Sequence, residues 1–243
     1  RSSNLNILTS QVIGEISPYI YGQFIEHIET CIYNGIWAEM ILDRKFYYPV
    51  GYSGFSPWRS DDLNLISMTE TDTVSGGYAV MIASGGDIYQ SRIALLKDKE
   101  YSGYFYAKTL SGTATVMITL TTSSGVVSTS VTVDSQDYQK YDYSIVANAN
   151  YSASEFSIEV DGAITLFDSL SLMPADNYFG MRRDTLDLLK ELNSTMYRWP
   201  GGNFLSGYDW KDGIGDRDHR ESKRNLHYMG TEDSFINDAA RET

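Results

Sequence analysis

The chain has 243 residues, 42% hydrophobic and 21% charged, a composition that excludes intrinsic disorder and fits a folded globular protein. Its net charge of −13 repels phosphate backbones and argues against nucleic acid as a partner, while fitting a neutral one such as a polysaccharide. No apolar run reaches the ~18 residues of a helical membrane span, and the single cysteine, Cys31, cannot form an intrachain disulfide.

In chain order, residues 1–56 mix short apolar runs (5–8, 20–25 and 36–42) with turn signals at Ser17-Pro18 and at Tyr48-Pro49-Val50-Gly51. Residues 57–174 carry few helix signals and repeat a period of two. Val116, Ile118 and Leu120 alternate with Thr115, Met117 and Thr119, and Phe156, Ile158 and Val160 with Ser157 and Glu159. Further strands are predicted at 78–82, 89–95, 100–108, 126–133, 138–146 and 163–172. Gly-, Ser- or Asp-containing turns separate them, and eight short strands at this spacing predict a jelly-roll β-sandwich.

Residues 175–243 return to a helix-then-strand texture. Apolar residues at 179, 186, 189 and 192 predict an amphipathic helix over 179–192 that stops near Asn193. Residues 195–199 follow as a short buried strand, completing half of a parallel βα unit. The fold class is therefore mixed α/β and all-β: the start of a (β/α) barrel interrupted by a jelly-roll β-sandwich inserted over 57–174.

Two segments carry candidate chemistry. In Ile20-Tyr21-Gly22-Gln23-Phe24-Ile25-Glu26-His27 an apolar strand delivers Glu26 and His27 at its C-terminal end, the end at which barrel active sites form. The same pair also fits two solvated loop residues. In Arg198-Trp199-Pro200-Gly201-Gly202-Asn203-Phe204, Pro200 stops ladder pairing and the two glycines allow a close backbone approach. Asn203 offers an amide donor and acceptor for vicinal hydroxyls, and Arg198 a guanidinium for a carboxylate. A Gly-rich turn with a structural arginine is the alternative.

The stretches IYGQFIEHIETCIYNGIWAEM and YRWPGGNFLSGYDWKDGIGDRDHR resemble family 51 of the glycoside hydrolases, chiefly α-L-arabinofuranosidases with some endoglucanases. The resemblance implies a (β/α)8 barrel, with residues 4–8 pairing to a further sandwich domain, and an inserted module that begins near Ser56-Pro57-Trp58. That module looks like a carbohydrate-binding module. The resemblance also implies that Glu26 and Asn203 bind arabinofuranose hydroxyls, that Arg198 supports the nucleophile, that Gly201 and Gly202 form the backbone turn, and that Tyr228 lines the aglycone side.

Family chemistry is retaining hydrolysis by two carboxylates roughly 5 Å apart. By resemblance, the acid/base lies in an Asn-Glu pair, which this sequence lacks, and both carboxylates are expected outside it. No hydrolysis is therefore expected of these residues alone, and the remainder of the barrel is expected from another chain or a further segment.

No cofactor is expected, although Asp134, Asp137 and Asp168 offer oxygens to a structural Ca²⁺ or else are solvated turn residues. The tyrosines at 78, 89, 101, 104, 106, 138, 141 and 143 form either a sugar-stacking platform or packing pairs. The expected partner is a plant cell-wall oligosaccharide or polysaccharide such as arabinoxylan or arabinan, and a homo-oligomer is compatible with the resemblance. A non-catalytic carbohydrate-binding protein and an endo-acting glucanase or xylanase are the competing readings. Secreted, periplasmic and cytoplasmic locations all remain open.

Overall fold

A computed structural model describes residues 3–28, 31–33, 35–75, 77–220 and 222. Its main body is a β-sandwich of two antiparallel sheets. Nine strands build it: β2 (Ile66–Thr69), β3 (Ala79–Ile82), β4 (Asp87–Leu95), β5 (Glu100–Thr109), β6 (Ala114–Thr122), β7 (Gly125–Val133), β8 (Gln139–Val146), β9 (Tyr151–Gly162) and β10 (Thr165–Pro174). The five-stranded sheet runs β2-β3-β10-β5-β8 and the four-stranded sheet β4-β9-β6-β7. All eight predicted strands are present. The ninth, β2, lies in Ile66-Ser67-Met68-Thr69, too short for its alternation to stand out.

Alternation decides which side chains enter the core. On β6, Ala114, Val116, Ile118 and Leu120 point inward while Thr115, Met117 and Thr121 face solvent. Trp58, Phe105, Phe156 and Phe167 are fully buried between the sheets, each contributing ~1.5–3 kcal/mol by leaving water. Ile41, Phe46 and Val50, from before the expected module boundary, join the same core.

Gly103 serves a specific contact in this core. A Cβ there would collide with the Tyr143 ring and Ser171 O; without one, the Tyr143 hydroxyl donates to Ser171 O at 2.8 Å.

Strand β10 departs from alternation, being buried along almost its whole length. Its second face is covered by the segment before the sandwich: Met40 N donates to Leu172 O, Leu170 N to Arg44 O, and the Glu39 carboxylate accepts from Leu172 N and Ser171 Oγ. Asp168, on the same strand, accepts from Val74 N at 2.7 Å and from Ser75 N and Oγ at 3.1 Å, pinning that loop. Burial nonetheless holds its carboxyl above the usual range. Among the described residues no three His, Cys, Asp or Glu side chains gather as a metal site.

A buried ionic network fastens residues 216–220 to this face. Arg44 pairs with Asp218 and lies 3.7 Å from Glu39. The Tyr104 hydroxyl accepts from Arg44 and donates to Asp218, and Lys45 Nζ donates to the carbonyls of Arg217 and Arg220. Lys140 caps the Tyr104 ring at 3.6 Å from its centroid. Charges this deep are tolerated only because each meets a partner.

Outside the sandwich stand β1 (Gln23–Phe24), β11 (Tyr197–Arg198) and the helix α1 (Arg183–Leu192). The helix starts four residues later than the periodicity predicts, because residues 177–181 form a turn in which Phe179 and Gly180 take positive φ. It ends as expected, with Asn193 left-handed at φ 49°. Residues 195–199, predicted as a buried strand, are all exposed, and only Tyr197 and Arg198 pair. The predicted strand at 20–25 shortens in the same way, since Pro18–Tyr21 forms a 3₁₀ turn capped by Ser17. No helix among the described residues is long and apolar enough to cross a membrane.

Candidate functional site

Strands β1 and β11 pair in parallel, with Gln23 opposite Tyr197 and Phe24 opposite Arg198. The ladder continues past the strand ends, as Ile25 N donates to Arg198 O at 2.9 Å and His27 N to Pro200 O at 3.2 Å. This register delivers the two sequence-predicted segments side by side.

Glu26 is half-buried and lies on the Gly201–Gly202 backbone. A Cβ at Gly201 would land on Glu26 Cγ, with Cδ 2.9 Å away, and Gly201 has φ +144°. A Cβ at Gly202 would stand 3.7 and 3.8 Å from the two Glu26 carboxylate oxygens. The close approach that the glycines permit is thus to the Glu26 side chain. Asn203, next in the chain, is exposed and opens a 3₁₀ turn over Asn203–Gly207.

Arg198 is exposed, its guanidinium 5.0 Å from the centroid of the Phe24 ring across the ladder. Trp199 is 46% exposed beside it. Tyr228 lies outside the described residues.

His27 faces inward from the same strand exit. It is 1% exposed, stacks on Phe204 at 4.4 Å between centroids, and its Nδ1 is 3.0 Å from the Tyr33 hydroxyl. Burial lowers its pKa to about 4, outweighing the upward pull of the neighbouring Glu26 charge. The imidazole is therefore neutral at pH 7. It joins the small core of Ile32, Tyr33 and Phe204 that lies under the Gly201–Asn203 turn. The sequence marked His27 as half of a polar pair; its inward aim follows from the period of two relative to Glu26.

The eight candidate tyrosines, at 78, 89, 101, 104, 106, 138, 141 and 143, are all buried or half-buried. Tyr101 and Tyr143 are in the core, Tyr141 stacks on Phe105, Tyr104 belongs to the Arg44 network, and the Tyr138 hydroxyl donates to Asp72 O. Packing thus accounts for these five. The buried charges Glu39, Arg44 and Asp218 went unrecognised in the sequence; three consecutive charged residues, Asp43-Arg44-Lys45, between apolar Leu42 and Phe46 were the available signal.

No protein-family profile matches the chain. A stretch of 59 residues, 24% of the chain, is 51% identical to an intracellular exo-α-(1→5)-L-arabinofuranosidase of Bifidobacterium longum and covers 10% of that enzyme. An exo-α-(1→6)-L-arabinofuranosidase of the same organism is 51% identical over 53 residues, covering 22% of this chain and 10% of that one. A probable α-L-arabinofuranosidase C of Aspergillus clavatus is 48% identical over 59 residues, 24% of this chain and 12% of that one.

The chain therefore matches these relatives locally and spans about a tenth of their length. Among solved structures, a family 61 carbohydrate-binding module in complex with β-1,4-galactotriose has a TM-score of 0.44 at 15% identity, covering 56% of this chain and 98% of that one. The CBM22-1–GH10 modules of Clostridium thermocellum xylanase 10B, complexed with xylohexaose, also give 0.44, at 16% identity, covering 59% and 30%. The sandwich is defined here by its own strand order, independently of these likenesses.

Proposed function

We propose that the chain carries the sugar-gripping portion of an α-L-arabinofuranosidase, fused to a β-sandwich that associates with the same plant polysaccharides. The observation that carries this reading is the parallel β1–β11 register, which sets the Glu26 carboxylate on the Gly201–Gly202 backbone immediately before Asn203. Local identity to arabinofuranosidases supports it. One helix and two parallel strands are as much of a barrel as the described residues hold, so the barrel itself is part of the proposal.

In this reading Glu26 accepts hydrogen bonds from ring hydroxyls, and Asn203 both donates and accepts. The proton donor and the nucleophile come from outside these residues, and the exposed Arg198 guanidinium would hold the nucleophile ionised. The neutral, buried His27 does not exchange protons with substrate; it braces the strand exit from which Glu26 projects.

The test is arabinose release from an aryl α-L-arabinofuranoside by the full-length protein and by Glu26→Gln and Asn203→Ala variants. Release that collapses in both variants supports the reading. Glycan binding without any release by the wild-type protein would favour the non-catalytic alternative.

A further inference from the structure

We infer that the chain has a second carbohydrate site, built where the sandwich meets the 177–181 turn and separate from Glu26 and Asn203. A cleft of about 610 Å³ opens there, within the ~300–1,000 Å³ range of ligand sites. The outer face of β5 and β8 supplies Tyr104 and Asp142, the segment before the sandwich supplies Trp37, and the turn supplies Phe179.

The two apolar rings are presented differently. Trp37 is half-buried, with the Arg217 guanidinium 5.2 Å from its centroid, and its ring lies where a Gly180 side chain would otherwise stand. Gly180, at φ +81°, is thus required for the ring's position. Phe179 is 83% exposed and holds φ +51°, a conformation unfavourable for an aromatic residue. A strained backbone that holds an aromatic ring out over a cleft points to a partner that is not among the described residues.

The polar lining selects the class of partner. Asp142 is exposed, and no described residue bonds its carboxylate. Arg217, on the other side, already donates to the Tyr104 hydroxyl and lies 3.7 Å from Glu39 and 3.8 Å from Asp218, so its charge is balanced within the protein and does not call for an anionic ligand. The exposed Phe179 ring beside the Asp142 carboxylate suits a neutral polyol ring, whose C–H face packs on the aromatic while its hydroxyls donate to Asp142. The partner is therefore a neutral oligosaccharide. That class accords with the proposed function, but the geometry of the cleft does not depend on it.

Calorimetric titration of the full chain with xylohexaose and cellohexaose tests the site. At least one should bind with a Kd of about 1 mM or tighter, and Phe179→Ala and Asp142→Ala should each weaken it about tenfold, ~1.4 kcal/mol. Phe179→Ala should leave the thermal midpoint unchanged because the ring is exposed. No binding by either sugar, or binding untouched by both cleft variants, would each overturn the proposal. Failure of the arabinofuranosidase reading is distinguishable, since it appears as absent arabinose release and not as a change in these titrations.

Discussion

The side chain of Glu26 occupies the space a methyl group on Gly201 would fill, with Cδ 2.9 Å from the position of that absent carbon. Two segments more than 170 residues apart in the chain become one surface through this contact, and the parallel ladder from Gln23 to Pro200 sets its register.

Gly201→Ala should therefore do two things. Its positive φ costs ~1 kcal/mol or more for a non-glycine residue, and the new methyl group displaces Glu26. We expect a destabilisation of ~1–3 kcal/mol in urea unfolding. In the Gly201→Ala/Glu26→Ala double variant part of that loss should return, because the clash is gone while the backbone strain stays. Strict additivity of the two substitutions would contradict the contact.

Asp218→Ala should be among the most destabilising single changes. It removes the nearest of the two carboxylates paired with the buried Arg44 guanidinium, leaving Glu39 at 3.7 Å, and costs up to ~3–5 kcal/mol. Replacing both ends, as Arg44→Met/Asp218→Leu, should recover most of that loss in chemical denaturation. The charges would then serve to position residues 216–220 more than to stabilise them.

Gly103→Ala should destabilise by ~2–4 kcal/mol, since the added methyl group meets the Tyr143 ring and Ser171 O and breaks a buried hydrogen bond. Tyr143→Phe, which loses the bond without the clash, should cost less. Comparing the two denaturation curves separates packing from hydrogen bonding.

Stability should fall as pH drops from about 6.5 to about 4. His27 has a pKa of about 4 in the folded chain against an ordinary 6.5, so the unfolded chain binds a proton that the native state excludes. The contribution is fully present above pH 6.5 and is lost towards pH 4, amounting to no more than ~3 kcal/mol. Thermal midpoints across that window should be flatter in His27→Phe than in the wild type, because carboxylates elsewhere act equally on both.

The sandwich was legible in the sequence because a strand buried on one face announces itself by alternation, as in Val116-Met117-Ile118-Thr119-Leu120. Strand β10 was legible from its apolar residues Leu166, Phe167, Leu170, Leu172 and Met173, but the buried Asp168, Ser169 and Ser171 between them gave no sign that the structure buries both its faces. What alternation could not convey was the cover of that second face by Glu39, Arg44 and Asp218, since ion pairs between distant residues leave no local pattern.

The helix start was misplaced because Phe179 fits the helical spacing yet sits in a turn at positive φ. At the candidate site, Gly201 and Gly202 signalled a close approach, but only the register of β1 on β11 identifies Glu26 as the group approached.

The most direct test of the central claim is kcat/KM for an aryl α-L-arabinofuranoside, measured on the full-length protein and its Glu26→Gln variant at equal folded concentration. If Glu26 grips the arabinofuranose ring, the wild-type protein releases arabinose and the variant loses ~100-fold or more, about 2.7 kcal/mol of transition-state stabilisation. An unchanged kcat/KM in Glu26→Gln, or no arabinose release by the wild-type protein, would contradict it.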